Sequence, residues 1–284
     1  MDKIVITVAP TGNVPTKERT PHVPVTPAEI AQSVLDSYKA GASVAHIHAR
    51  DGNGAPTFKR EVFREIVDRI REKCDIVIQL STGARGGKTA EERGECLSLA
   101  PEMASLTTGS SNFPTAVNSN PPELIEYLCK RMNEFGVVPE IEVFDTAMIA
   151  GALALEKKGV LRSPLRFNLV MGVGGSIPAT PKNMFFLYES LPQGSYWNCT
   201  VVGPAHPRLA TIAIALGGHV RAGIEDNIYY ERGVLATNPG LVERVARIAE
   251  AAGRSVATAA EAREIIGLGR IAGRDQSKGG SGIE

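Results

Sequence analysis

The sequence predicts an α/β fold, a closed (β/α)8 barrel forming a single domain, and three observations carry that expectation. Eight short β-branched runs alternate with helical segments. The alternation continues along the chain with no composition shift that would mark a linker. Its extent is close to the ~250 residues over which eight β–α units typically close on themselves. An open doubly wound sheet is the alternative. It usually has fewer strands, and the "APTG" turn after the first run is not the G-x-G-x-x-G of a dinucleotide site. The barrel is expected to occupy residues 1–268, and "GRIAGRDQSKGGSGIE" (269–284), rich in Gly, Ser and charge, reads as a flexible tail.

The eight runs are "IVITVAP" (4–10), "SVAHIHAR" (43–50), "DIVIQLST" (75–82), "MASLTTG" (103–109), "PEIEVFDT" (139–146), "LRFNLVMGV" (165–173), "YWNCTVVG" (196–203) and "HVRAGIED" (219–226). Helices are expected between and after them. Thr26-Pro27 followed by Glu29 supplies an N-cap, a proline at the first helical position and an acidic first turn, and Gly41 ends that helix. In 58–73, Val62, Ile66 and Ile70 recur at helical spacing with charge on the other face. In 120–136, Asn120 is the expected cap, prolines follow, and Gly136 closes. Segments 148–158, 181–191, 206–217 and 239–252 complete the set, with 89–99 interrupted by Gly94.

Composition excludes several functions. Lys plus Arg total 31 and Asp plus Glu total 31, so no global field favours nucleic acid or an anionic membrane surface. The longest apolar runs, such as "LATIAIALGG" (209–218), fall short of the ~20 residues of a membrane-spanning helix. The chain enters a strand almost at once, without the pattern of a secretory leader, so a cytoplasmic address is expected. Cys74, Cys96, Cys129 and Cys199 are widely separated and read as buried free thiols.

The polar residues collect where barrel enzymes place their chemistry, at the C-terminal ends of strands. His46 and His48 lie in the second run and, in extended chain, share a face. Ser81 and Thr82 end the third, Thr107 and Thr108 the fourth; Glu142 and Asp145 fall late in the fifth. Arg221, Glu225 and Asp226 occupy the eighth and its end. An H-x-H alone is a weak metal motif, but strands two and eight of a closed barrel are separated only by strand one, so Glu225 can reach the histidines. Two histidines and a glutamate with an open fourth position form a catalytic zinc arrangement. Blander roles remain open: Asp226 as a cap or a structural partner of Arg221, Glu142 in a rim salt bridge, Ser81 and Thr107 serving the backbone. The Gly-rich stretch 171–180 before a helix at Pro181 suits an anion or only a turn. His22, His206 and His219 fall away from the rim group.

Together, "HIHARD" on the second run, "STG" at 81–83, "LTTGS" at 106–110, "PEIEVFD" at 139–145 and "VRAGIED" at 220–226 resemble the β-keto acid cleavage enzymes, over about residues 3–268. The resemblance implies a zinc-bearing barrel that converts a β-keto acid and acetyl-CoA into acetoacetate and a new acyl-CoA. By position it implies His46, His48 and Glu225 as zinc ligands, and Asp226, supported by Arg221 and Ser81, as the base. Thr107 and Glu142 are implied in the substrate pocket, and the neighbouring Thr82 and Thr108 are taken with them. It also implies a homo-oligomer, often a tetramer. The loop "APTGNVPTK" (9–17) holds no carboxylate, so the keto acid's side chain stays open.

Three rival functions stand beside this one. Amidohydrolase barrels carry H-x-H on strand one with further histidines later, and acyl-CoA lyases of the hydroxymethylglutaryl type place metal histidines late in the barrel. Neither pattern is present. A non-catalytic small-molecule-binding barrel predicts ligand or metal binding without turnover.

Overall fold

A computed structural model describes residues 3–269. Eight parallel strands close a barrel: β1 (Ile6–Val8), β2 (Val44–Ile47), β3 (Val77–Leu80), β4 (Met103–Thr107), β5 (Val138–Val143), β6 (Arg166–Met171), β7 (Tyr196–Val201) and β8 (His219–Ala222). Seven of the runs read from the sequence contain one of them, the fifth strand begins one residue before its run at Val138, and β8 and β2 are the two neighbours of β1. The strands are shorter than the runs because the apolar residues at their ends continue into loops that remain buried, such as Ala9 after β1 and Phe144 after β5. The tail expected at 269–284 lies, but for Gly269, outside the described residues.

The helices pack outside the strands. In α1 (Pro27–Lys39), Thr26 and Glu29 form the reciprocal cap that the sequence suggests. α2 (Arg60–Arg71) buries Phe63, Ile66, Val67 and Ile70, with Val62 only partly covered, so its apolar stripe is wider than the expected i, i+4, i+8 row. The interrupted segment forms α3 (Ala90–Gly94) and a 3-10 turn (Glu95–Leu99). α4 (Pro122–Phe135) has Pro121 rather than Asn120 at its N-cap. The Asn120 side chain instead accepts from Arg93 and donates to the Gly109 carbonyl, joining two loops of the rim. α5 (Thr146–Lys157) is capped by Asp145, which is therefore a cap and not a strand residue. α6 (Pro181–Glu189), α7 (His206–Ala215) and α8 (Asn238–Ala251) follow the later strands.

One helix was not anticipated. α9 (Ala259–Ile266) carries a capping box, Thr258 with Glu261, and a left-handed Gly267 at its end, both readable signals. It buries Ala262 and Ile266 against Val5, Val44, Val77 and Met103, closing the N-terminal base of the barrel. Arg166 fixes it by donating to the Ile266 and Gly267 carbonyls at 2.7 and 3.0 Å. With the base sealed by apolar packing, the opposite rim is where polar groups can gather. Among the described residues no helix is long and apolar enough to cross a membrane. Cys96, Cys129 and Cys199 are buried free thiols, while Cys74 is only half-buried.

Candidate active site and metal centre

His46 sits inside β2, and His48 follows the strand in extended chain, so both imidazoles point to the barrel axis. Their ring centroids are 5.1 Å apart. Glu225 reaches them from the far side of β1, with Oε1 3.9 Å from His46 Nε2 and 3.4 Å from His48 Nε2. One donor atom from each of the three lies within 4.8 Å of the others.

The approach of Glu225 depends on two close passages of backbone. Gly12, in the loop after β1, has φ +61°, and a Cβ there would stand 2.5 Å from Glu225 Cγ. A Cβ on Gly223, just after β8, would stand 2.0 Å from the Ala9 carbonyl oxygen. Three buried side chains lock loops of the rim, two of them at these passages. Arg50 donates to the carbonyls of Gly12, Gly54 and Pro15 at 2.9, 2.8 and 3.0 Å. Asn238 accepts from Ile224 N at 2.8 Å and donates to the Pro10 carbonyl at 3.1 Å. Arg93 ties the loop after β3 to that after β4, donating to the carbonyls of Thr82 and Ser119.

Arg221 organises the acids. It donates to both oxygens of Asp226, Nε to Oδ2 at 2.9 Å and Nη2 to Oδ1 at 3.0 Å, and also to Glu225. Its Nη1 stands 3.5 Å from Glu142 Oε1. Arg221 and Glu225, four residues apart in the sequence, do not meet by lying on one face of a continuous strand. β8 ends at Ala222, and a turn over 223–226 folds both carboxylates back onto the guanidinium. In a continued strand Asp226 would face the opposite way from Glu225.

Charge and burial compete at each acid. Burial raises the Glu225 carboxyl, but Arg221 and the two imidazoles outweigh it and hold the group well below the usual range. For Asp226 burial wins over Arg221 and lifts the carboxyl to about 6. Glu142 is likewise raised by burial, with Arg221 opposing. Burial and the positive Arg221 drive His46 down to about 3, so its imidazole is neutral near pH 7.

These residues fit a divalent metal by three features. His46 Nδ1 is 2.6 Å from Gln79 Oε1, which assigns the proton to Nδ1 and leaves the Nε2 lone pair toward Glu225. Glu225 Oε2 is buried and, among the described residues, has no hydrogen-bond partner. Two imidazole nitrogens and a carboxylate are the donor types that Zn2+ and related ions take. Gln79 pairs with His46 in the β2–β3 register, and a glutamine within the apolar "IVIQL" run was its unread signal.

The other expected site residues divide. Ser81, Thr107 and Glu142 line one cavity with His48, Arg221, Glu225 and Asp226, and Thr107 Oγ1 donates to Glu142 Oε2 at 3.2 Å. Thr82 and Thr108 do not line it. Their hydroxyls donate to the Ser105 and Met148 carbonyls, each at 2.7 Å. The Gly-rich loop contributes Val173, while Gly172 turns back to pair with Ile177. His206 and His219 are buried elsewhere, in bonds to the Arg221 carbonyl and Val5 N. Asn13, Val14, Arg85, Phe113 and Asn118 also line the cavity, and no reading of the sequence singled them out.

A parallel barrel sealed below and polar at its C-terminal rim is the architecture of the (β/α)8 enzymes. The ObcA structure solved as a ternary complex with a C4-CoA adduct and oxalate has this fold (TM-score 0.73, 24% identity), covering 88% of this chain and 68% of that one. The chain belongs to the beta-keto acid cleavage enzyme family, whose model matches residues 3–268. It is 46% identical to 3-keto-5-aminohexanoate cleavage enzyme of Acetoanaerobium sticklandii, over 95% of this chain and 100% of that relative. It is 38% identical to 3-oxoadipate:acetyl-CoA acetyltransferase of Cupriavidus necator, over 93% and 94%.

Proposed function

We propose that this protein is a zinc-dependent β-keto acid:acetyl-CoA acyltransferase, which releases acetoacetate and a new acyl-CoA. The observation that carries the reading is the convergence of His46, His48 and Glu225 within 4.8 Å of one another, beside an aspartate held by Arg221. A family relative named 3-oxoadipate:acetyl-CoA acetyltransferase supports the second substrate.

His46, His48 and Glu225 would hold the metal, and when bound it supplies a Lewis acid for the ketone oxygen. Asp226 removes the proton from the carbon between ketone and carboxylate. Its carboxyl, lifted by burial to about 6, is closer to neutral pH than an ordinary aspartate and so better matched to that transfer. Arg221 holds both Asp226 oxygens and so fixes the base in one orientation. Ser81, Thr107 and Glu142 border the space in which the keto acid lies.

The carbanion formed attacks the thioester carbonyl of acetyl-CoA, and the CoA thiolate leaves. The thiolate then adds to the original ketone carbon. The bond between that carbon and its α-carbon breaks in the retro-Claisen sense, giving the new acyl-CoA. Asp226 returns its proton to the departing acetoacetate carbanion.

The test is acetoacetate formation by purified protein with acetyl-CoA and a panel of neutral, cationic and anionic β-keto acids, beside metal analysis of the same sample. Turnover requiring both the CoA ester and the metal is expected. Zinc-loaded protein that forms no acetoacetate across the panel overturns the reading.

A further inference from the structure

The cavity lining is of two chemical kinds. One is the polar group around His48, Arg221, Glu225 and Asp226; the other is an apolar wall that includes Phe113, Phe144, Val173 and Val202. A cation stacks on this wall. Arg85 Cζ stands 4.7 Å from the Phe113 ring centroid, and Phe113 meets Phe144 edge-on at 5.2 Å.

The guanidinium of Arg85 differs from the others of this rim. Arg221 is occupied by Asp226 and Glu225, Arg50 by three carbonyls, and Arg93 by Thr82, Ser119 and Asn120. Arg85, exposed at the rim and within the through-space field of Glu225, stacks on the Phe113 ring and, among the described residues, forms no hydrogen bond or ion pair. A stacked guanidinium keeps its in-plane N–H donors available, and that fork matches a carboxylate. The carboxylates of the cavity are already engaged, Glu142 by Thr107 and Arg221, Asp226 and Glu225 by Arg221. The loop after β1 adds only Asn13 and Val14 to the lining, so no acid there would receive a cationic side chain.

We propose that Arg85 is the specificity residue of this cavity and receives the distal carboxylate of a dicarboxylic β-keto acid, whose carbon chain lies along Phe113 and Phe144. This rests on the reading of the cavity as a β-keto acid site. The keto and α-carboxylate end is then at the His48–Asp226 side, and the wall measures the length of the chain that separates it from the second carboxylate.

Steady-state kinetics with a dicarboxylic keto acid and its chain-matched neutral and cationic counterparts test the assignment in wild type, Arg85→Gln and Arg85→Lys. Wild type is expected to favour the dicarboxylate at least tenfold in kcat/KM. Arg85→Gln should erase that preference by raising KM for the dicarboxylate, Arg85→Lys should keep part of it, and KM for acetyl-CoA should not change. A cationic or neutral keto acid favoured by wild type overturns the proposal. So does a rise in the acetyl-CoA KM of Arg85→Gln with every keto acid, which would place a CoA phosphate on Arg85. Calorimetric titration with adipate against hexanoate separates this inference from the reaction itself. Tighter adipate binding that Arg85→Gln abolishes supports Arg85 even without turnover, and equal binding of the two overturns it.

Discussion

His46 and His219 sit in the same barrel, both almost free of solvent, and burial drives both imidazoles down to about 3. They do opposite work. At the sealed base, His219 Nδ1 accepts from Val5 N at 3.0 Å and its ring stacks on Tyr196 with centroids 4.6 Å apart. At the rim, His46 spends Nδ1 on Gln79 and keeps Nε2 toward Glu225 and His48. Burial and a displaced pKa are therefore common to a histidine of the sealed base and one of the candidate metal centre. What separates them is the convergence of further donor atoms on the nitrogen left over.

Removing a converging donor should have the largest effect. Glu225→Ala is expected to strip the metal and lower kcat/KM on the order of a thousandfold or more, since metal polarisation is worth several kcal/mol. Unchanged zinc content in that variant would end the metal assignment. Asp226→Asn should keep the metal yet lower kcat by about 10²–10⁴, the usual share of a general base. Loss of zinc together with activity would recast Asp226 as a ligand's support.

Smaller effects probe what surrounds each histidine. Gln79→Leu leaves all three donors in place and frees the His46 ring, and a fall of roughly 10–100-fold in metal affinity is expected. Equal affinity would show that packing alone orients His46. His219→Leu should keep metal and turnover while costing about 1–3 kcal/mol at neutral pH, because Val5 N–H loses its acceptor.

The same variant has a pH signature. Above the ordinary value of 6.5, His219 is neutral folded and unfolded and adds no pH dependence. Between 6.5 and about 3 the unfolded chain binds a proton that the folded chain refuses, so wild-type stability falls with falling pH. His219→Leu should reduce that slope by up to about 1.4 kcal/mol per pH unit, read from urea melts between pH 7 and 4. Parallel slopes would mean that His219 is not held neutral.

Local periodicity made much of this molecule legible. Strand alternation and helical spacing are set by backbone geometry within a few residues, so the eight strands, the Thr26 cap and the shared face of His46 and His48 could be read directly. The meeting of Glu225 with those histidines needed only barrel closure, because β1 alone lies between β8 and β2.

Tertiary structure decided the rest. Glu225 and Asp226 face one guanidinium because Gly223 and Gly12 let a turn pass close to β1, a contact between residues more than two hundred positions apart. The same long-range packing directed the Thr82 and Thr108 hydroxyls to donate to backbone carbonyls, and set Arg85 against Phe113 at the cavity. Side-chain type and spacing say what a residue can bond. Which partner it meets depends on loops from different strands arriving at one rim, and that is fixed only when the barrel closes.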